Sequence, residues 1–292
     1  NVEDAPAEVY LKLENLQPIG SFKIRGLGNA ILQAGAAQLC QGVWTASMGN
    51  AAQGVAWHAR RLGLPCTIVV PQVAPETKLA AIRRLGGRVV KTSYEAWWRT
   101  FSTHEFEGQE GLFIHSFADP AVIAGHGTIG LEILEDLPDV DSVVVPYGGG
   151  GLSGGIAAAL KAHKSDIQVY ASEVETAAPL AASLEAGSPQ KIERIPSFVD
   201  GIGGVAVIEQ MWPLVSRLLD GSIVVTLAEI GATVRLLAER NCLIAEGAGA
   251  SSVAAALTGK AGGGKVVCVV SGGNIDAAKL TEILQGRIPG PG

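Results

Sequence analysis

The stretch Ser142-Val143-Val144-Val145-Pro146-Tyr147-Gly148-Gly149-Gly150-Gly151-Leu152 carries three signals in succession. Its β-branched run predicts a strand over Ser142–Pro146, buried on both faces as in a parallel sheet. Four glycines follow, where backbone can approach a ligand closely and turn several N–H groups toward one point. Leu152 then opens an alanine-rich helical pattern reaching His163. A helix start adds partial positive charge to those N–H groups, so the stretch reads as a cradle for a phosphate. Four successive glycines cost too much chain entropy to serve a turn alone.

Outward from this stretch, strand-like and helix-like segments alternate along nearly the whole chain. Alternation of this kind predicts an α/β fold with parallel sheets covered by helices. In such sheets ligands sit outside the carboxyl ends of strands, where glycine-rich loops enter helices. Three junctions have that character: Ser47–Gln53, Gly148–Gly155 and Ser271–Asn274. A further segment of interest is Lys12–Gly26. Glu8–Glu14 reads as a strand, Pro18 and Gly20 break the chain, and Ser21 is expected to cap a helix over Phe22–Gln33. Lys23 then falls in a first helical turn, where a positive charge is unfavourable, and that lowers the cost of losing its proton.

Composition narrows the function. The chain has 292 residues, 48% hydrophobic and 17% charged, with 38 glycines: a compact, apolar, turn-rich protein able to bury a large core. A net charge of −6 without a basic run argues against nucleic-acid binding and fits a cytoplasmic protein. There is no signal peptide and no long apolar span, so no membrane association is expected. Cys40, Cys66, Cys242 and Cys268 are scattered, which reads as buried free thiols in a reducing compartment. The five histidines show no metal-binding spacing. The first residue is not Met, which leaves open whether an N-terminal segment is missing.

Two rival motifs overlap the glycine stretch. Gly149, Gly151 and Gly154 match G-x-G-x-x-G, with Glu173 after the next strand as the acid of a dinucleotide site. Spacing alone leaves that nicotinamide reading open. Gly151-Leu152-Ser153-Gly154-Gly155 matches a hydrolase elbow, which needs a later acid and then a histidine. His163 is the sole histidine after Ser153, with no acid between them, so the elbow fails. Ser47-Met48-Gly49-Asn50, at another helix start, suits a carboxylate or phenolate oxygen. Ser271-Gly272-Gly273-Asn274 ends the buried strand Lys265–Val270, so Ser271 should face a crevice.

Together Lys12–Gly26, Ser47–Gly54, Val122–Thr128, Val144–Gly151, Glu246–Ala250 and Ser271–Asn274 resemble the serine/threonine dehydratase branch of the fold-type II pyridoxal-phosphate enzymes. The resemblance implies two open, twisted, mostly parallel sheets, with a small mobile domain (42–118) inserted in a large pyridoxal-phosphate-binding domain (1–41 and 119–292). It implies that Lys23 forms the Schiff base with pyridoxal 5'-phosphate and serves as the base. Asn50 would bond the phenolic oxygen, Gly148, Gly149, Gly150 and Gly151 the phosphate, and Ser271 the pyridine nitrogen. Phe22 would pack on one ring face and Asp200–Gly204 on the other. Ser47, Met48, Gly49 and Ala51 would line the substrate carboxylate site. The implied reaction is elimination of water from a β-hydroxy amino acid, L-threonine, L-serine or a bulkier one, to a 2-oxo acid and ammonia. Racemisation and β-replacement are the alternatives on the same fold. A homodimer or homotetramer is the expected assembly. Met48 replaces the serine that acts as opposite-face acid in serine racemases of this family, so racemisation should be poor. Pro179 stands where a cation-binding Asp would, which leaves a metal beside Glu173 in doubt. No C-terminal regulatory domain, and no isoleucine feedback, is expected.

Overall fold

The computed structural model describes residues 5–291. It begins with β1 (Glu8–Leu13), a 3-10 turn over Glu14–Leu16, α1 (Lys23–Gln33) and the short α2 (Ala36–Leu39). Next come β2 (Val43–Ala46), α3 (Asn50–Leu62), β3 (Cys66–Pro71), α4 (Glu76–Arg84), β4 (Arg88–Thr92), α5 (Tyr94–Thr103) and β5 (Leu112–Phe113). These are followed by α6 (Pro120–Asp136), β6 (Ser142–Pro146), α7 (Gly151–His163), β7 (Gln168–Val174) and α8 (Pro179–Ala186). Beyond a long loop lie α9 (Trp212–Leu218), β8 (Gly221–Val225), α10 (Leu227–Asn241), α11 (Gly247–Leu257), β9 (Lys265–Val270) and α12 (Ala277–Leu284).

The strands form two sheets, one of five in the order β1-β9-β6-β7-β8 and one of four in the order β4-β3-β2-β5. Every pairing between these strands is parallel, as the strand–helix alternation requires. Two compact units contain them: Lys23–Gly125 holds the four-stranded sheet, and the residues on either side hold the five-stranded one. Within the smaller unit α1 packs on α3. There the His58 ring fills the space beside Gly28 and bonds the Ile24 carbonyl at 2.7 Å.

In the larger unit, β6 is buried throughout and β9 nearly so. Both are central in the sheet, which explains their unbroken apolar runs. Helix α11 is buried on all sides from Gly247 to Ala256. Its small residues permit contact that larger ones would block: a Cβ on Gly249 would run into the Gly272 carbonyl. In the smaller unit, Leu27, Ile31, Val55, Ile68, Val70, Leu79 and Ile82 form the core. Each fully buried aliphatic side chain of this size contributes roughly 1.5–3 kcal/mol.

Some expectations need correction. Cys66 and Cys268 are buried, but Cys40 and Cys242 are exposed. Both exposed thiols follow helix ends, outside the apolar strand runs that cover the other pair. Ser21 does not cap α1 with its side chain: its buried Oγ has no hydrogen-bond partner among the described residues. Ser21 instead pairs through its backbone with Gly272 in an isolated bridge.

Candidate active site

In the larger unit, the carboxyl end of β6 passes through Tyr147 into the four glycines. Gly150 adopts a left-handed conformation (φ 87°) and directly precedes α7, which has no side-chain cap. The N–H groups of that first turn therefore face outward with the helix dipole behind them. The 200–204 segment lies against this loop, since a Cβ on Gly148 would sit 3.5 Å from the Gly201 carbonyl. Gly201 in turn faces the start of α11, where Ala248 and the Glu246 carboxylate stand beside it. Glu246 makes no side-chain cap to α11.

The Ser-Phe segment before Lys23 is tied to the loop after β9. Phe22 N–H donates to the Ser271 carbonyl (2.9 Å), Gly273 N–H to the Gly20 carbonyl (2.9 Å), and Asn274 Nδ2 to the Ile19 carbonyl (2.8 Å). Glu246 N–H donates to the Gly272 carbonyl at 3.0 Å. Phe22, Gly148, Gly149, Gly150, Gly151 and Ser271 thus come from strand ends and loops of one sheet, where α/β ligand sites form. Ser271 is buried, 3% exposed. The Phe22 ring meets the edge of His126, with centroids 4.8 Å apart.

Two buried hydroxyls in these segments, Ser21 Oγ and Tyr147 Oη, have no partner among the described residues. Burial pushes the Tyr147 phenol up, and the nearby Glu173 carboxylate reinforces this. Glu173 is itself buried, and both its oxygens are hydrogen-bonded. Its carboxylate accepts N–H groups from Leu180 (2.9 Å) and Ala181 (2.7 Å) and the Ser222 hydroxyl (2.7 Å). Burial holds its pKa above the usual carboxylate value despite those bonds. A buried carboxylate whose two oxygens are both bonded into the fold is poorly placed to take a ribose, which weakens the dinucleotide reading of Gly149, Gly151 and Gly154. Among the described residues no cluster of His, Cys, Asp or Glu could hold a metal ion.

The smaller unit holds the other candidate residues. Lys23 is the first residue of α1. Its ammonium donates to the Ser116 carbonyl at 2.5 Å, and burial lowers its pKa from 10.5 to about 8. Desolvation is thus the stronger form of the argument that the helix start suggested. Ser47 to Ala51 link β2 to α3. Ser47 Oγ accepts the Gly49 N–H at 3.3 Å, and Gly49 precedes α3, which has no side-chain cap. Asn50 is the first residue of α3 and Ala51 is buried behind it. Met48 packs its thioether side chain against the apolar core of this unit.

Sequence reasoning missed Ser116 and His115. Ser116 acts through its backbone carbonyl, which leaves no side-chain signature. His115 follows β5 closely, and a polar residue just beyond a parallel strand was the available signal.

Pyridoxal phosphate requires an anion cradle, a readily deprotonated amine and a polar partner for its ring nitrogen. In the larger unit the uncapped glycine-led α7, two buried hydroxyls unpartnered among the described residues and buried Ser271 suit the phosphate and the ring nitrogen; in the smaller unit the desolvated Lys23 suits the amine. Comparison with known proteins agrees. Residues 2–272 match the family model described as pyridoxal-phosphate dependent enzyme. The chain is 43% identical over 282 residues to an L-threonine ammonia-lyase of Thermotoga maritima, covering 95% of this chain and 70% of that one. The processed form of threonine deaminase isoform 2 from Solanum lycopersicum superposes with a TM-score of 0.87 at 32% identity, covering 96% of this chain and 83% of that one. Maize serine racemase superposes with a TM-score of 0.83 at 32% identity, covering 96% and 87%. The chain belongs to the pyridoxal-phosphate dependent enzymes. No helix among the described residues is long and apolar enough to cross a membrane.

Proposed function

We infer that the protein is a pyridoxal-phosphate-dependent dehydratase that removes water from a β-hydroxy amino acid, L-threonine or L-serine, giving a 2-oxo acid and ammonia. The observation that carries this reading is Lys23, a desolvated amine with a pKa near 8 at the head of α1. A relative 43% identical is an L-threonine ammonia-lyase, which supports the choice of reaction.

Lys23 is the residue to which the cofactor would attach. Gly148, Gly149, Gly150 and Gly151 would hold its phosphate, Asn50 its phenolic oxygen and Ser271 its ring nitrogen, with Phe22 against the ring. When bound, pyridoxal phosphate withdraws electrons from the Cα–H bond of the substrate. Lys23, once its amine is released, takes the Cα proton, since an amine with a pKa near 8 is largely neutral just above that pH. The Ser116 carbonyl accepts a hydrogen bond from the resulting ammonium. Ser47, Gly49 and Ala51, at the uncapped start of α3, orient the substrate carboxylate. The Cα–H and Cβ–OH bonds break, water leaves, and hydrolysis of the C–N bond then releases ammonia. Ser271 is neutral and does not force a proton onto the ring nitrogen.

Met48 argues against racemisation, since a thioether has no proton to deliver to the opposite face. The same reading treats residues 42–118 as a mobile domain and expects a homodimer or homotetramer in the cytoplasm.

The test is direct. Purified protein is reduced with borohydride in the presence of pyridoxal phosphate and mapped by peptide mass, and 2-oxo acid release is measured for L-threonine and L-serine. Label on Lys23 and 2-oxo acid without a second substrate are expected. Label on another lysine, or D-amino acid in place of 2-oxo acid, overturns the assignment.

A further inference from the structure

The carbonyl that receives the Lys23 amine is not on a regular element. It belongs to the turn Ser116–Ala118, between β5 and α6, and that turn is organised by one side chain. His115 Nδ1 accepts the N–H of Phe117 (3.2 Å) and of Ala118 (2.9 Å). Both donors are backbone amides, so Nδ1 is the acceptor and the ring proton sits on Nε2. The ring cannot drift. It meets Phe117 edge-on with centroids 4.6 Å apart, His104 edge-on at 5.1 Å and Phe101 at 5.6 Å. His104 is fixed in turn by stacking on Phe113 at 4.6 Å, in the left-handed residue that ends α5. Asp119 anchors the far side of the turn, its carboxylate accepting the N–H of Ala121 (2.7 Å) at the start of α6.

We propose that His115 is a positioning residue for Lys23: by gathering the Phe117 and Ala118 amides on Nδ1, it fixes the Ser116 carbonyl where the lysine amine donates. This rests on the reading of Lys23 as the cofactor lysine. The arrangement works only with neutral imidazole, because a proton on Nδ1 would eject both amides. The charged and titratable groups that act on the ring are His104 from the end of α5, Lys23 from α1 and Asp119 beside α6. Burial chiefly, with the two basic neighbours, lowers the His115 pKa to about 4, so the ring stays neutral throughout the range in which Lys23 titrates.

Two substitutions separate positioning from packing. His115→Phe keeps an aromatic ring among Phe101, Phe113 and Phe117 but has no acceptor. His115→Asn gives up the ring but returns an acceptor oxygen near the place of Nδ1. Each holoenzyme is reduced with borohydride to locate the label, and each cofactor-stripped protein is mixed with pyridoxal phosphate across pH 6–10 to find the midpoint for capture. Weakening the carbonyl contact removes a partner of the ammonium form, so the Phe variant should show a midpoint lower by about one pH unit with label still on Lys23. The Asn variant should return to the wild-type midpoint. An unchanged midpoint in a folded Phe variant, or an Asn variant displaced as far as Phe, overturns the proposal. If the Phe variant does not fold, the Asn midpoint decides alone. Wild-type label on a different lysine would instead refute the Lys23 assignment.

Discussion

Replacing Lys23 with Met in the cofactor-free protein should raise its stability at neutral pH and leave it little changed at high pH. The gap between 10.5 and about 8 measures the cost of keeping this amine charged in the folded chain. At 1.36 kcal/mol per pH unit the gap is worth about 3 kcal/mol. The side chain is only partly buried overall, and solvent screening reduces this to about 2 kcal/mol. Loss of the donor to the Ser116 carbonyl returns about 1 kcal/mol. The Lys23→Met gain at pH 7 is therefore about 1 kcal/mol. The sign follows from proton linkage. Below pH 8 the lysine is charged in both states and the full penalty stands. Between pH 8 and 10.5 the unfolded chain binds more protons, so wild-type stability rises with pH. Above 10.5 the penalty is gone and the lost hydrogen bond leaves the variant slightly weaker. Urea melts of both cofactor-free proteins at pH 7 and pH 10 measure the difference. An offset between the two proteins that is the same at both pH values refutes burial as the origin of the depressed pKa.

Gly150→Ala forces a Cβ onto a residue at φ 87°, 3.2 Å from a Val215 methyl, and should cost about 1–2 kcal/mol with a measurable loss of pyridoxal phosphate affinity by fluorescence titration. Tyr147→Phe removes a buried hydroxyl that has no partner among the described residues, so the melting temperature of the cofactor-free protein should stay level or rise; a fall of several degrees would show that the hydroxyl is satisfied. Glu173→Gln places an amide where three donors converge and should destabilise the protein by about 2 kcal/mol in urea melts without affecting borohydride labelling of Lys23. Gly249→Ala sets a methyl against the Gly272 carbonyl and should displace the loop that carries Ser271, lowering cofactor affinity more than Gly231→Ala, which meets open space.

Much of this molecule could be read before its fold was known, for reasons visible in particular residues. β6, β9 and α11 were legible to the residue because their apolar runs end abruptly at glycine or polar positions. The strand-to-helix turn at Gly148–Gly151 was legible from its glycines, of which Gly150 takes the left-handed conformation that favours glycine. Weaker signals moved. Helix α9 begins at Trp212, since Pro213 fits the first helical turn and the preceding residues make turns. Ser21 looked like a cap by composition, but its backbone was already committed to Gly272, some 250 residues away, and no local rule contains that pairing. The partner of Lys23 was out of reach for the same reason: a main-chain carbonyl carries no residue code.

The pairing of β1 with β9 has a consequence for synthesis. Glu8–Leu13 lies alongside Lys265–Val270 and takes no other strand as neighbour. During translation the first strand of the sheet therefore leaves the ribosome long before its partner exists. At roughly 5–20 residues per second the wait is about 10–50 s. Over that interval Val9, Leu11 and Leu13 have neither their hydrogen bonds nor their place in the core. The Gly20–Phe22 segment is held to the Ser271 loop, so its hydrogen bonds also wait until that loop has been made. Ribosome-stalled chains ending before and after residue 274 would show that delay as late acquisition of protease resistance at the N-terminal strand.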